Sequence, residues 1–182
     1  MEEQKEVAAK VAEKALAKAA AEVAEAAEKV AEKVAAERNT EVADSLPSLE
    51  KIRKMFADDK FATEAAAAVI TEAGVRHAKC EMELTPVHLN ARGAVMGGAL
   101  FTLADFTAAV AAEGYKAELD SVSLDANITY FAPAKGTKVI AEATCIKAGR
   151  TTSYYEVLLT DDVGTNVAKF TCNMFTIRKS AL

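Results

Sequence analysis

The chain has 182 residues, 51% of them hydrophobic and 27% charged, the balance of a globular domain with room for an appendage. A net charge of -5 without a basic cluster argues against nucleic-acid binding, which needs a concentrated Lys/Arg surface to release counterions from phosphate. With no run of 18 apolar residues and no apolar core behind Met1, neither a membrane span nor a secretory signal is expected, and the cytoplasm is the expected compartment.

Residues 2 to 38 are almost wholly Ala, Glu, Lys and Val without Gly or Pro, which predicts a long helix. Ala9, Leu16, Val23 and Val30 interleave with Glu13, Ala20, Ala27 and Val34 as the narrow a/d seam of a helical pairing would. The low complexity of this leader contrasts with the irregular sequence after it, so residues 1–44 read as a helical extension, an engineered addition or an oligomerisation arm, ahead of a domain over 45–182. Ser48 caps a predicted short helix from Leu49 to about Phe56, with Leu49, Ile52, Arg53 and Phe56 on one face. Alternation predicts strands over Ala66–Thr71 and Val75–Leu84, with Gly74 at the bend, then a loop from Pro86 to Val95.

After the pair Gly97-Gly98, Ala99 to Ala112 read as a helix apolar almost all round, stopped by Gly114, and therefore buried. One charge, Asp105, sits within it, and an unpaired buried carboxylate costs on the order of several kcal/mol unless its surroundings use it. Four strand-like runs follow, Ser121–Phe131, Lys138–Lys147, Thr152–Thr160 and Asn166–Arg178. The first alternates throughout, with Val122, Leu124, Ala126, Ile128 and Tyr130 on one side and Ser123, Asp125, Asn127 and Thr129 on the other. One helix followed by a meander implies an α+β domain, a curved antiparallel sheet wrapped around the helix. Cys80, Cys145 and Cys172 have neither disulfide nor zinc spacing and read as small core residues.

The stretch Asn90-Ala91-Arg92-Gly93-Ala94-Val95-Met96-Gly97-Gly98, with Leu103-Ala104-Asp105, Ser123 to Tyr130 and Pro133-Ala134-Lys135, resembles the PaaI-like acyl-CoA thioesterases of the hotdog fold. The resemblance spans roughly Leu49 to Lys179 and leaves the leader without a counterpart. It implies hydrolysis of acyl-CoA thioesters with coenzyme A as part of the substrate, and neither a metal nor another cofactor. The Gly97 backbone N–H would bind the thioester oxygen, a role that the positive end of a helix also favours. Asp105 would be base or nucleophile, Asn90 would orient water or substrate, and Ser123 would assist the carboxylate. Gly98, Met96 and His88 would flank the substrate, and Gly149, Arg150 and Thr151 would meet the coenzyme A arm. Where many members have His, this chain has Met96, which can neither donate a strong hydrogen bond nor shuttle a proton.

Gly97 and Asp105 are eight residues apart, about 12 Å along one helix, too far to act on one carbonyl. If both act on one thioester, Asp105 comes from a second chain, as the dimeric arrangement of the resembled family implies, and a dimer of dimers is the expected assembly. The competing reading is structural: an oligomeric block in which the leader helix contacts other copies or a helical partner and catalysis is incidental or lost. The leader seam and Met96 favour it; the retention of Asn90, Gly97, Asp105 and Ser123 opposes it.

Overall fold

A computed structural model describes residues 46–178; the extension expected over 1–44 lies outside them. Ser48 accepts a hydrogen bond from the Lys51 N–H and opens helix α1, Leu49–Met55, as expected. Helix α1 buries Ile52 and is tied to the first strand by Arg53, whose Nε donates to the Ile70 carbonyl at 2.8 Å. Phe56, just beyond its end, packs edge-on against Phe106 of the central helix.

A single π-helical turn at Phe61–Ala65 and a left-handed Ala67 (φ 48°) delay the first strand, so β1 is Ala68–Gly74 and not Ala66–Thr71. The hairpin to β2, His77–Glu83, turns through Arg76 with φ 57°, whereas Gly74 closes β1. The glycine was therefore the wrong place for the bend. Helix α2 runs Gly97–Glu113, two residues earlier than the sequence suggested, and is followed by β3 Leu119–Tyr130, β4 Lys138–Ala148, β5 Thr152–Asp161 and β6 Asn166–Arg178.

The six strands form one antiparallel sheet in the order β1-β2-β4-β5-β6-β3. Only β4, β5 and β6 meander; β3 crosses to the far edge and pairs with β6, not with its chain neighbour β4. Helix α2 packs on the inner face of the sheet, giving the α+β hotdog arrangement expected. Ala78, Ala141 and Ala143 are fully buried on the strands beneath it, and such small residues let backbone approach backbone. Leu103, Val110 and Phe170 fill the remaining space, each large side chain contributing about 1.5–3 kcal/mol by burial.

At one end of the sheet the buried Asp161 organises two loops. Its carboxylate accepts from the backbone N–H groups of Lys135 (2.7 Å), Gly136 (3.1 Å), Val163 (3.2 Å) and Thr165 (2.6 Å). Burial by itself would push its pKa up, but these donors favour the charged form and hold it well below the usual carboxylate range.

Helix α2 is not buried all round. Gly97, Phe101, Asp105 and Ala109, at four-residue steps, stay partly open while Leu103, Ala104, Thr107, Ala108 and Ala111 are closed off. A sheet wraps only one side of a helix, and the apolar composition gave no sign of which stripe would be left. Among the described residues no helix is long and apolar enough to cross a membrane.

Candidate active site

Two features of the loop before α2 fix the helix start. The Met96 N–H donates to the His88 carbonyl at 2.8 Å, and Leu89 bridges Val95, closing the loop on itself. Met96 then caps the helix with its sulfur, which accepts from the Gly98 N–H at 3.0 Å. The Gly98 amide is thereby occupied. Among the described residues the Gly97 N–H meets no acceptor, so of the pair it is the donor open to a ligand.

A residue without an evident role in the sequence holds this turn. The Tyr130 hydroxyl donates to the Gly97 carbonyl at 3.0 Å. A Cβ at position 97 would lie 2.8 Å from that hydroxyl oxygen, so the exposed Tyr130 side chain would have to shift to admit it. Periodicity could not have found this contact, because the residues that meet belong to the helix start and the far strand edge.

Two turns along α2, Asp105 is half-buried, and the Ser123 hydroxyl donates to its Oδ1 at 3.0 Å. The lone buried charge expected from sequence is thus partly solvated and paired. What brings Ser123 to it is a β-bulge at Leu124: Ser123 pairs with Met174 and Asp125 with Asn173, leaving Leu124 unopposed. The bulge reverses the phase of the strand, so Ser123 before it and Ala126, Ile128 and Tyr130 after it all oppose inward-facing residues of β6. The unbroken alternation predicted for Ser121–Phe131 is corrected here, since it put Ser123 and Tyr130 on opposite faces. Nearby, burial raises the Cys172 thiol to about 12, with the charges of Asp105 and Asp125 pushing the same way. A thiol so protonated is no nucleophile at neutral pH.

The model of the thioesterase superfamily matches residues 92–168, which include Gly97, Asp105 and Ser123. The mouse acyl-coenzyme A thioesterase 13 is 31% identical over 113 residues, covering 62% of this chain and 81% of that relative. The chain belongs to the thioesterase superfamily. Among solved structures, a thioesterase from Streptococcus pneumoniae with coenzyme A superposes with a TM-score of 0.61 at 28% identity, covering 68% of this chain and 97% of that one. The phenylacetic acid degradation protein PaaI of Thermus thermophilus, in mutant form, gives 0.57 at 29% identity over 62% of this chain and 96% of its own. The protein is accordingly an enzyme that hydrolyses thioesters.

The other expected site residues of this thioesterase fall into three places. Asn90 is committed to its own loop: Oδ1 accepts from the Arg92 N–H at 2.9 Å and the Ala94 N–H at 3.3 Å, leaving the amide NH2 for any outward contact. His88, expected to flank the substrate, is 2% exposed, and its Nδ1 accepts from the Thr85 N–H at 3.1 Å. It lines a cavity of about 430 Å³ together with Met96 and Gly98. Gly149, Arg150 and Thr151 line another cavity, of about 360 Å³, with Ala112 and Tyr115 at the opposite end of α2. A 17-residue helix is about 25 Å long, so in one chain that cavity and Gly97 lie far apart. Arg76 and Lys116, to which the sequence reading assigned no role, line it beside Arg150, making the wall cationic.

Proposed function

We propose that the thioester substrate is an acyl-CoA and that each active site is shared between two copies of the chain. The observation that carries this reading is the open stripe of α2, on which an uncommitted N–H at Gly97 and a serine-paired carboxylate at Asp105 stand eight residues apart. One helix cannot bring both to one carbonyl, but two helices facing each other can. The sheet edge supports the pairing. Strand β3 ends the sheet with twelve residues, and Val122 and Leu124 are 58% and 60% exposed, a long apolar edge of the kind that isolated chains avoid.

In this mechanism the thioester oxygen lies on the Gly97 N–H, where negative charge develops at the positive end of α2. Asp105 of the partner subunit takes a proton from water as its oxygen attacks the carbonyl carbon, or attacks that carbon itself to form an anhydride that water then opens. In both routes the C–S bond breaks, the sulfur leaves as thiolate and is protonated, and a free acid remains. Ser123 holds the carboxylate in place, and Asn90 turns its amide NH2 toward water or substrate. The cationic cavity at Arg150, Arg76 and Lys116 suits the phosphates of coenzyme A. Met96 leaves the amide intact and supplies no proton, so the chemistry rests on the carboxylate.

Thiol release from a panel of acyl-CoAs, measured for the parent and for Asp105→Asn, tests the proposal. The parent should turn over at least one ester, with kcat lowered roughly a hundredfold or more in the variant. Equal turnover by both would remove Asp105 from the mechanism, and no turnover by the parent on any ester would sink the acyl-CoA assignment.

A further inference from the structure

We propose that Arg76 recognises a phosphate group of the thiol carrier, and that this task keeps an arginine where the backbone suits glycine. This inference rests on the acyl-CoA reading above. The hairpin from β1 to β2 pairs Gly74 with His77 and turns through Val75 and Arg76. Arg76, at φ 57°, is one of two non-glycine residues with positive φ among the described residues. A two-residue turn with positive φ at its second position favours glycine or asparagine, because a longer side chain there is strained. The backbone duty of the position is to accept from the Cys145 N–H at 3.1 Å, which any residue can do, so the turn itself gives no reason for an arginine. Strain kept where a glycine would relieve it points to a task for the side chain.

What the side chain meets defines that task. The Tyr115 side chain, just past the end of α2, hydrogen-bonds the guanidinium, and both residues line the cavity of about 360 Å³, so the charge stands at its wall. Lys116 Nζ lies 5.9 Å from the centre of the Tyr115 ring, and Arg150 comes from the turn between β4 and β5. Three cations thus share one wall, and none of the lining residues is Asp or Glu. Like charges gathered in this way repel, and an anion with several oxygens is the ligand that relieves them. Arginine suits that ligand better than lysine, because its planar fork donates two hydrogen bonds to one phosphate. Coenzyme A carries such anions at its diphosphate and at its 3′-phosphate, whereas pantetheine carries none.

The test uses the full chain and three thiols: coenzyme A, 3′-dephospho-coenzyme A and pantetheine. Their dissociation constants are measured by calorimetry for the parent, Arg76→Gly and Arg76→Lys, alongside thermal melts. The parent should bind coenzyme A more tightly than pantetheine, and Arg76→Gly should weaken coenzyme A by roughly tenfold, with a smaller loss in Arg76→Lys. The Tm of Arg76→Gly should stay within about 2 °C of the parent or rise, as relief of strain requires. A loss shared by 3′-dephospho-coenzyme A would assign Arg76 to the diphosphate, and a loss confined to coenzyme A would assign it to the 3′-phosphate. Equal constants in the parent and Arg76→Gly would overturn the inference, and hydrolysis of an acyl-CoA by both would leave the acyl-CoA reading standing. A Tm lowered by about 5 °C or more in both Arg76→Gly and Arg76→Asn would also overturn it, since the arginine would then serve the fold. Weakened coenzyme A binding at unchanged Tm, with no hydrolysis of any acyl-CoA by the parent, would support the inference and overturn the acyl-CoA reading.

Discussion

Position 97 shows how one side chain closes on the start of α2. The Tyr130 hydroxyl holds the Gly97 carbonyl, so a methyl group there must displace the ring that positions the turn. We predict that Gly97→Ala lowers kcat/KM by tenfold or more, because the N–H leaves the place where charge develops. Adding Tyr130→Ala to it should recover part of the loss by removing the clash, and an additive double mutant would show that the two side chains do not interact. A second residue-scale prediction concerns Asp161. Its folded pKa is depressed, so the stability it contributes is present above the unfolded value near 4 and is lost as pH falls below it. Asp161→Asn should lower Tm by roughly 5 °C at pH 7, and the gap between variant and parent should narrow steadily as pH falls below about 4 in thermal melts. A gap independent of pH would mean that the charge itself contributes nothing.

At the scale of the element, the β3 bulge decides which side chains reach the helix. Deleting Leu124 would leave Ser123 opposite Met174 and Asp125 opposite Asn173, so pairing becomes unbroken with both halves of the strand facing as before. Ser123 should then stay on the side of Asp105 and Tyr130 on that of Gly97. A folded deletion variant should keep kcat/KM within roughly threefold of the parent, and a loss of tenfold or more would show that the bulge sets the distances as well as the facing of these side chains. The strands also explain the cysteines. Cys80 and Cys172 face the core, and burial raises both thiols to about 12, whereas Cys145 is only half-buried. A thiol reagent at pH 8 should therefore modify at most one cysteine per native chain and all three after unfolding, counted by mass.

At the scale of the whole molecule, the proposed sharing of each site between two copies has a direct test. If the amide and the carboxylate of a site come from different copies, a Gly97→Ala chain and an Asp105→Asn chain, each impaired alone, complement each other when unfolded together and refolded. Random pairing makes half of the dimers mixed, and each mixed dimer holds one intact site of two, so about a quarter of parental activity should return. No recovery, with mixed dimers demonstrated by mass, would place both groups in one chain. The cationic cavity at the other end of α2 gives a separate expectation: Arg150→Ala should raise KM for acyl-CoA more than it lowers kcat, by roughly three- to tenfold, and should matter less for a thioester without phosphates.

Local sequence determined much of this protein. The apolar run after Gly97-Gly98, the Ser48 cap and the alternating segments announced a helix and a set of strands, because helix and strand each place residues on a face by short, regular periods. Asp105 stood out as the one charge in an apolar helix and Gly97 as the glycine at its start, while Asn90 and Ser123 were marked by resemblance to the family. Only the tertiary structure decided that β3 lies at the far edge, that Leu124 bulges so that Ser123 meets Asp105, that Tyr130 braces Gly97, and that His88 is buried with one nitrogen unpaired. These outcomes depend on which distant segments share space, and short-range periodicity carries no record of a partner thirty residues away.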